Sequence, residues 1–202
     1  MTPGTLFIIS APSGAGKTTL VRALLEAEPG MRLSVSYTTR PPRPGELDGV
    51  AYHFVTTAEF MAMRAEDAFV ESAEVHGNFY GTGRDWLDAR LSAGDEVILE
   101  IDIQGAQLVR AAHPNAVSIF VLAPSPAELE RRLRGRGDVS ADSFALRVAN
   151  ARREMAEADC YDYVIINDRL ESAVADLLAI VRSSRLVPAR QRRQHPQAFL
   201  PS

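Results

Sequence analysis

Cysteine, lysine and tryptophan are almost missing from this chain of 202 residues. The single cysteine, Cys160, excludes an internal disulfide and a zinc site built from cysteines. No apolar run approaches the roughly 18 residues that would suggest a membrane span. The short apolar stretch from Leu6 to Ile9 has no basic segment before it and no cleavage site after it, so no signal peptide is expected and the cytoplasm is the default location. Excess positive charge is missing too. A net charge of −4 argues against a general affinity for nucleic acid, which needs a broad basic surface. Repeats and low-complexity tracts are also absent.

The lysine shortage is the most informative of these. Lys17 is the only lysine among 22 basic residues, and every other one is arginine. A compact ammonium and a planar guanidinium are not interchangeable, so one ammonium kept in an arginine-using chain marks Lys17 for a special role.

What is present is an alternation of apolar strands and amphipathic helices. Strands are expected at 6–10, 32–37, 52–55, 68–75, 96–101, 116–122 and 163–166. Helices are expected at 18–26, 57–66, 85–91, 104–112, 126–134, 141–158 and 171–185. Continuous apolar strands between helices imply an α/β fold, a central parallel sheet flanked by helices. The section from about 35 to 82 breaks the rhythm and reads as a strand-rich insertion in a single domain, whose core is about 4–34 and 83–187. The Arg-, Gln- and Pro-rich end, about 188–202, reads as a flexible tail.

Between the first strand and first helix stand Ala11, Pro12, Ser13, Gly14, Ala15, Gly16, Lys17, Thr18 and Thr19. Loops that wrap phosphates need glycine where the backbone bends to aim its N–H groups inward, and the helix that follows adds its positive end. Lys17 would reach the β- and γ-phosphates and the Thr18 hydroxyl would bind Mg²⁺. One position departs from the pattern: its first glycine is replaced by Ala11, which does not tolerate positive φ. The motif implies nucleoside triphosphate binding and goes no further.

A longer series narrows the choice. It begins with Ser36-Tyr37-Thr38-Thr39-Arg40-Pro41-Pro42-Arg43-Pro44-Gly45-Glu46 and continues through Gly49, Tyr52-His53-Phe54, Glu71 and Gly77-Asn78-Phe79-Tyr80-Gly81-Thr82. It then includes Glu100-Ile101-Asp102-Ile103-Gln104-Gly105, Arg132, Gly135-Arg136-Gly137 and Asn167-Asp168. In this order, over about 6–185, the chain resembles the guanylate kinases of the P-loop nucleoside monophosphate kinase family. The resemblance implies the P-loop kinase fold with a GMP-binding insertion and a mobile lid at about 135–147. It implies transfer of the γ-phosphoryl of Mg-ATP to GMP, giving ADP and GDP, in purine nucleotide metabolism. ATP and GMP are then the partners, with dGMP and the oligomeric state left open.

The chemistry of the residues agrees with that resemblance. Arg40 and Arg43, three apart in a proline-stiffened loop, suit a phosphate clamp, and Tyr52 and Tyr80 can each add a hydroxyl. The family holds the GMP phosphate with residues matching these four. Guanine offers N1–H and N2–H donors beside the O6 acceptor, so a carboxylate can take the donors and hydroxyls can serve O6. By resemblance Glu71 accepts, while Ser36 and Thr82 donate. Glu100 and Asp102 share a strand-end face and are suited either to bind Mg²⁺ through water or to meet the acceptor nucleotide, with Asp102 favoured. Arg132, Arg136 and Arg147 suit a lid that brings arginines to the transferring phosphoryl group. Asn167 matches a position near the adenine, although an asparagine at a strand end also suits a simple turn. Two rivals differ in class or substrate: a guanylate-kinase-like binding module without turnover, and a kinase for another acceptor. The first would lack Lys17 and Thr18, and the second would lack the set of Glu71, Ser36 and Thr82.

Overall fold

The computed structural model describes residues 4–75, 77–135 and 141–199, without the side chains of 141–143 and 146. In chain order the elements are β1 Thr5–Ser10, α1 Lys17–Ala27, β2 Arg32–Leu33, β3 Tyr37–Thr38, β4 His53–Phe54, α2 Thr57–Ala65, β5 Phe69–Val75 and β6 Asn78–Gly83. They continue with α3 Arg84–Ala93, β7 Glu96–Glu100, α4 Ile103–Ala112, β8 Val117–Leu122, α5 Pro126–Arg134, α6 Ala141–Met155, β9 Tyr163–Ile166, α7 Leu170–Arg185 and α8 Pro188–Gln194. The chain divides into two compact units, one containing residues 11–29 and 119–199 and the other 4–10 and 30–118.

In the unit containing residues 11–29, β8 and β9 pair in parallel, Ile119 opposite Tyr163 through Leu122 opposite Ile166. Helix α1 buries Leu20, Val21 and Leu24, and α7, with which it packs, buries Ala173, Leu177, Ile180 and Val181. Both sets recur at helical spacing, so each helix turns one apolar stripe inward. An ion pair from Arg185 to Glu28, 2.8 Å long, joins their ends. Helix α5 starts at an N-cap, Ser125, whose hydroxyl accepts the Glu128 N–H, with Pro126 in the first turn. Its basic last turn suits the negative end of the helix.

In the other unit, β2-β7-β1 run parallel, and β1 is buried along its whole length. That is why the 6–10 run shows no polar alternation. A second sheet has the order β4-β3-β6-β5, in which β6 is antiparallel to both β3 and β5. Phe60, from a helix closed by a Thr56/Glu59 capping box, is fully buried and stacks 4.5 Å from Phe69 and 5.6 Å from Phe79. Strand β5 carries a register shift: Phe69 lies opposite Gly83, yet Glu71 lies opposite Thr82, so Val70 is one residue extra. A bulge of this kind re-aims the side chains that follow it. Arg84 supports the start of the strand, donating to the carbonyls of Asp67 at 2.9 Å and Phe69 at 2.7 Å.

Three expectations about elements need correction. The predicted strand 32–37 is two strands, β2 beside β7 and β3 in the other sheet. After Ser34 donates its N–H to the Ile98 carbonyl, the chain leaves the parallel strands. Strand β6 was not expected, because Gly81 and Gly83 dilute its apolar pattern. Helix α8 forms in the stretch read as a tail without elements: Pro188 opens it, Gln191 donates its amide to the Arg185 carbonyl, and Arg192 lies over the Phe199 ring.

Candidate functional site

The phosphate loop is shaped by its glycines. Gly14 and Gly16 have φ of 90° and 94°, where a side chain would be strained. The Pro12 carbonyl accepts the Ala15 N–H at 3.1 Å, which folds the loop back on itself. Gly16 caps α1 without a side-chain hydrogen bond, so no side-chain cap competes for the donors at that helix start. Ala11 needs no glycine: Asp67 is the one non-glycine with positive φ among the described residues. The departure from the pattern therefore costs no backbone strain.

Lys17 opens α1 half-buried, with Thr18 and Thr19 exposed beside it. Asn167, only 6% exposed, donates its side-chain amide to the Ala15 carbonyl at 2.8 Å. A β-carbon on Gly16 would collide with that amide. Arg132 reaches the same point, donating to the Asn167 carbonyl at 3.0 Å while its Nε is held by Glu128 at 2.7 Å. Asn167 thus braces the loop, a job its place at a strand end gave no hint of. Arg147 lies half-buried on α6, and Arg136 lies outside the described residues, as do 137–140 of the expected lid.

The second cluster is built from side chains. Glu71 is 5% exposed and accepts the Thr82 hydroxyl at 2.7 Å. Burial pushes its carboxyl up to about 7, Thr82 works against that, and the charge of Asp102 adds to it. Thr82 is fully buried with its proton directed at Glu71. Its hydroxyl, expected to serve O6, is turned toward the carboxylate in this structure. Asp102 caps α4, accepting the Gly105 N–H at 2.8 Å. Ser36 is half-buried where the chain enters β3.

Arg40 is gathered by its neighbours. One of its nitrogens lies 2.9 Å from both oxygens of Glu46, and the guanidinium stands over the rings of Tyr52 at 5.3 Å and Phe54 at 5.9 Å. Tyr80 stands close enough to act on its charge, and the Tyr80 ring is 5.9 Å from that of Tyr52. Burial first, then the nearby Glu100 charge, pushes the Tyr52 phenol upward. Arg40, Tyr52, Tyr80 and Glu100 are therefore brought together, while Arg43 stays exposed at the loop surface. Glu46 was quoted from the sequence without a role. It accepts the Arg43 N–H at 2.7 Å as well, which depresses its carboxyl and ties the proline loop together. Its position six residues after Arg40 was the available signal.

A family model described as guanylate kinase matches residues 4–184. The chain is 56% identical over 197 residues to a guanylate kinase of Aromatoleum aromaticum, covering 98% of this chain and 97% of that one. It is 57% identical over 196 residues to one of Dechloromonas aromatica, covering 97% of each. Among solved structures, the guanylate kinase of Anaplasma phagocytophilum aligns with a TM-score of 0.79 at 30% identity, over 100% of this chain and 98% of that one.

Proposed function

The chain belongs to the guanylate kinase family and transfers the γ-phosphoryl group of ATP to GMP, giving ADP and GDP, and we propose how its residues divide that work. The loop from Ala11 to Thr19 holds the triphosphate, with Lys17 on the β- and γ-phosphates. Asn167 keeps the loop in shape, and Arg132, Arg136 and Arg147 neutralise charge on the transferring group. Arg40, Arg43, Tyr52 and Tyr80 hold the GMP phosphate. Glu71 accepts from guanine N1–H and N2–H, Ser36 serves O6, and Thr82 keeps Glu71 aimed. Glu100 and Asp102 stand on the acceptor side, beside Tyr52 and Glu71 respectively. Functionally, 35–82 is the acceptor insertion and 135–147 the lid, in a cytoplasmic enzyme of purine nucleotide metabolism.

The observation that carries this reading is the buried Glu71–Thr82 pair. A carboxylate this deep needs donors, and guanine presents two on one edge. Adenine presents an acceptor there, and a site of this kind can reject such a mismatch by roughly 10⁴-fold.

An Mg²⁺ ion fits the donors available. Among the described residues no group of three or more His, Cys, Asp or Glu forms a cage. Thr18, exposed at the start of α1, suits an ion that arrives on the nucleotide and keeps several waters. When bound, the ion supplies positive charge to the β- and γ-phosphates.

No general base is required. An oxygen of the GMP phosphate is already ionised and bonds to the γ-phosphorus as the bond to the β–γ bridging oxygen breaks, and ADP leaves. The protein has to align the two nucleotides, neutralise charge and keep water out.

The test is ADP release from Mg-ATP with GMP, AMP, CMP, UMP or dTMP offered separately. Turnover is expected with GMP alone and should fall about 10²–10³-fold in Lys17→Ala. Comparable turnover with AMP would overturn the reading of the base. Binding of GMP without turnover would favour the binding module.

A further inference from the structure

Gly105 lies in the first turn of α4, three residues after the cap Asp102. Its φ is not among the positive ones, so the backbone there does not require glycine. Inside a helix, alanine is favoured over glycine by about 1 kcal/mol. A glycine at this point is therefore costly unless space demands it, and space does. A β-carbon built on Gly105 would stand 2.5 Å from Glu71 Oε2, 3.0 Å from its carboxyl carbon and 3.2 Å from Asp102 Oδ1. Glu71 cannot easily yield, because it is buried on β5 and its other oxygen is bonded to Thr82. Asp102 cannot yield without losing its bond to the Gly105 N–H.

We propose that Gly105 is a specificity-determining positioning residue, whose missing side chain lets the Glu71 carboxylate stand against the first turn of α4 at the angle that selects guanine. The proposal rests on Glu71 as the reader of the base and extends it to a residue that touches no substrate. Helix α4 packs against β5, so any side chain at 105 transmits its bulk directly to the carboxylate. Displacement by about 1 Å can cost about 100-fold where geometry sets the rate.

The experiment compares Gly105→Ala, Glu71→Gln, Glu71→Asp and the double variant Gly105→Ala/Glu71→Asp, with KM measured for both substrates. Gly105→Ala is expected to raise KM for GMP by about 10- to 100-fold, with KM for ATP within about twofold of the parent. The preference for GMP over AMP should fall by a similar factor. Shortening Glu71 by one methylene withdraws it from the new methyl group, so the double variant should bind GMP better than Gly105→Ala alone. Equal losses for ATP and GMP, strictly additive effects in the double variant, or an unchanged KM for GMP in Gly105→Ala would each overturn the proposal. Where Glu71→Gln is damaging but Gly105→Ala is silent, only the role of Gly105 fails. An unaffected Glu71→Gln sinks the reading of the base itself. If Gly105→Ala folds poorly, the double variant carries the test: it should fold and bind GMP about as well as Glu71→Asp, and a double variant that is also insoluble or binds GMP far more weakly than Glu71→Asp would overturn the proposal.

Discussion

In the proposed division of work, the phosphate loop and the Glu71 cluster solve two binding problems by opposite means. The loop is nine consecutive residues shaped by Gly14 and Gly16 and braced by Asn167, and it is proposed to meet phosphate mainly through backbone N–H groups. The cluster draws on residues from 36 to 105, and its groups are side chains with their own partners. A phosphate is symmetrical and highly charged, so a ring of generic donors is enough for it. A purine edge must be told apart from others, which takes an oriented, desolvated acceptor. The cheap contact is local and the discriminating one is assembled from distant parts of the chain.

The sharpest way to break this contrast is to neutralise Glu71. Glu71→Gln should lower kcat/KM for GMP by about 10²- to 10⁴-fold and leave KM for ATP unchanged, read from initial rates with each substrate varied. A loss shared by both substrates would mean that the two regions are not separable.

The same carboxyl gives a pH signature. Its pKa, about 7, lies above the ordinary value, so the folded protein holds this proton more tightly than the unfolded chain. Its contribution to stability therefore falls as pH rises from about 4.5 to about 7 and is level above that. Guanine needs the ionised form, so GMP should bind about tenfold better at pH 8 than at pH 6, measured by calorimetry. Glu71→Gln subtracts the titration of the nucleotide itself. A pH slope that survives in that variant would belong to the ligand or to another group.

On the loop side, Asn167→Ala removes one hydrogen bond and leaves the Ala15 carbonyl without it. KM for ATP should rise about fivefold while KM for GMP holds, since a lost bond of this kind is worth about 1 kcal/mol. The smallest effect belongs to Ala11→Gly, which restores the full pattern. Because Ala11 has no glycine-like φ, turnover should change by less than about twofold. Thermal unfolding should show a loss of about 0.4–1 kcal/mol from added freedom in the unfolded chain.

The contrast also explains what could be read from the sequence. The loop's pattern was legible because it is contiguous, and Pro126–Arg134 and Tyr163–Ile166 were legible because each has a clear period or a capping signal. Candidate residues in the acceptor region could be named, but their partners could not. Thr82 looks like a donor to the base until β5 and β6 set it opposite Glu71. Asn167 looks like a turn residue until its amide meets Ala15, 152 positions away. Glycine at 105 looks like a weak spot in a helix until the carboxylate beside it is seen. Each of these meanings lies in a pairing across the chain, which local propensity does not encode.

The bulge at Val70 makes the acceptor region sensitive to arithmetic as well as chemistry. Strand side chains alternate with a period of two, and both Phe69 and Glu71 are buried only because one supernumerary residue is accommodated between Thr82 and Gly83 on the facing strand. Deleting Val70 would preserve every named contact residue yet make Phe69 and Glu71 adjacent, on opposite faces of the strand, turning either the aromatic ring or the acid outward. Descendants of this chain can therefore vary the identity of position 70 far more freely than its existence, and a single codon lost there would blind the enzyme to its base without altering one letter of the recognition set.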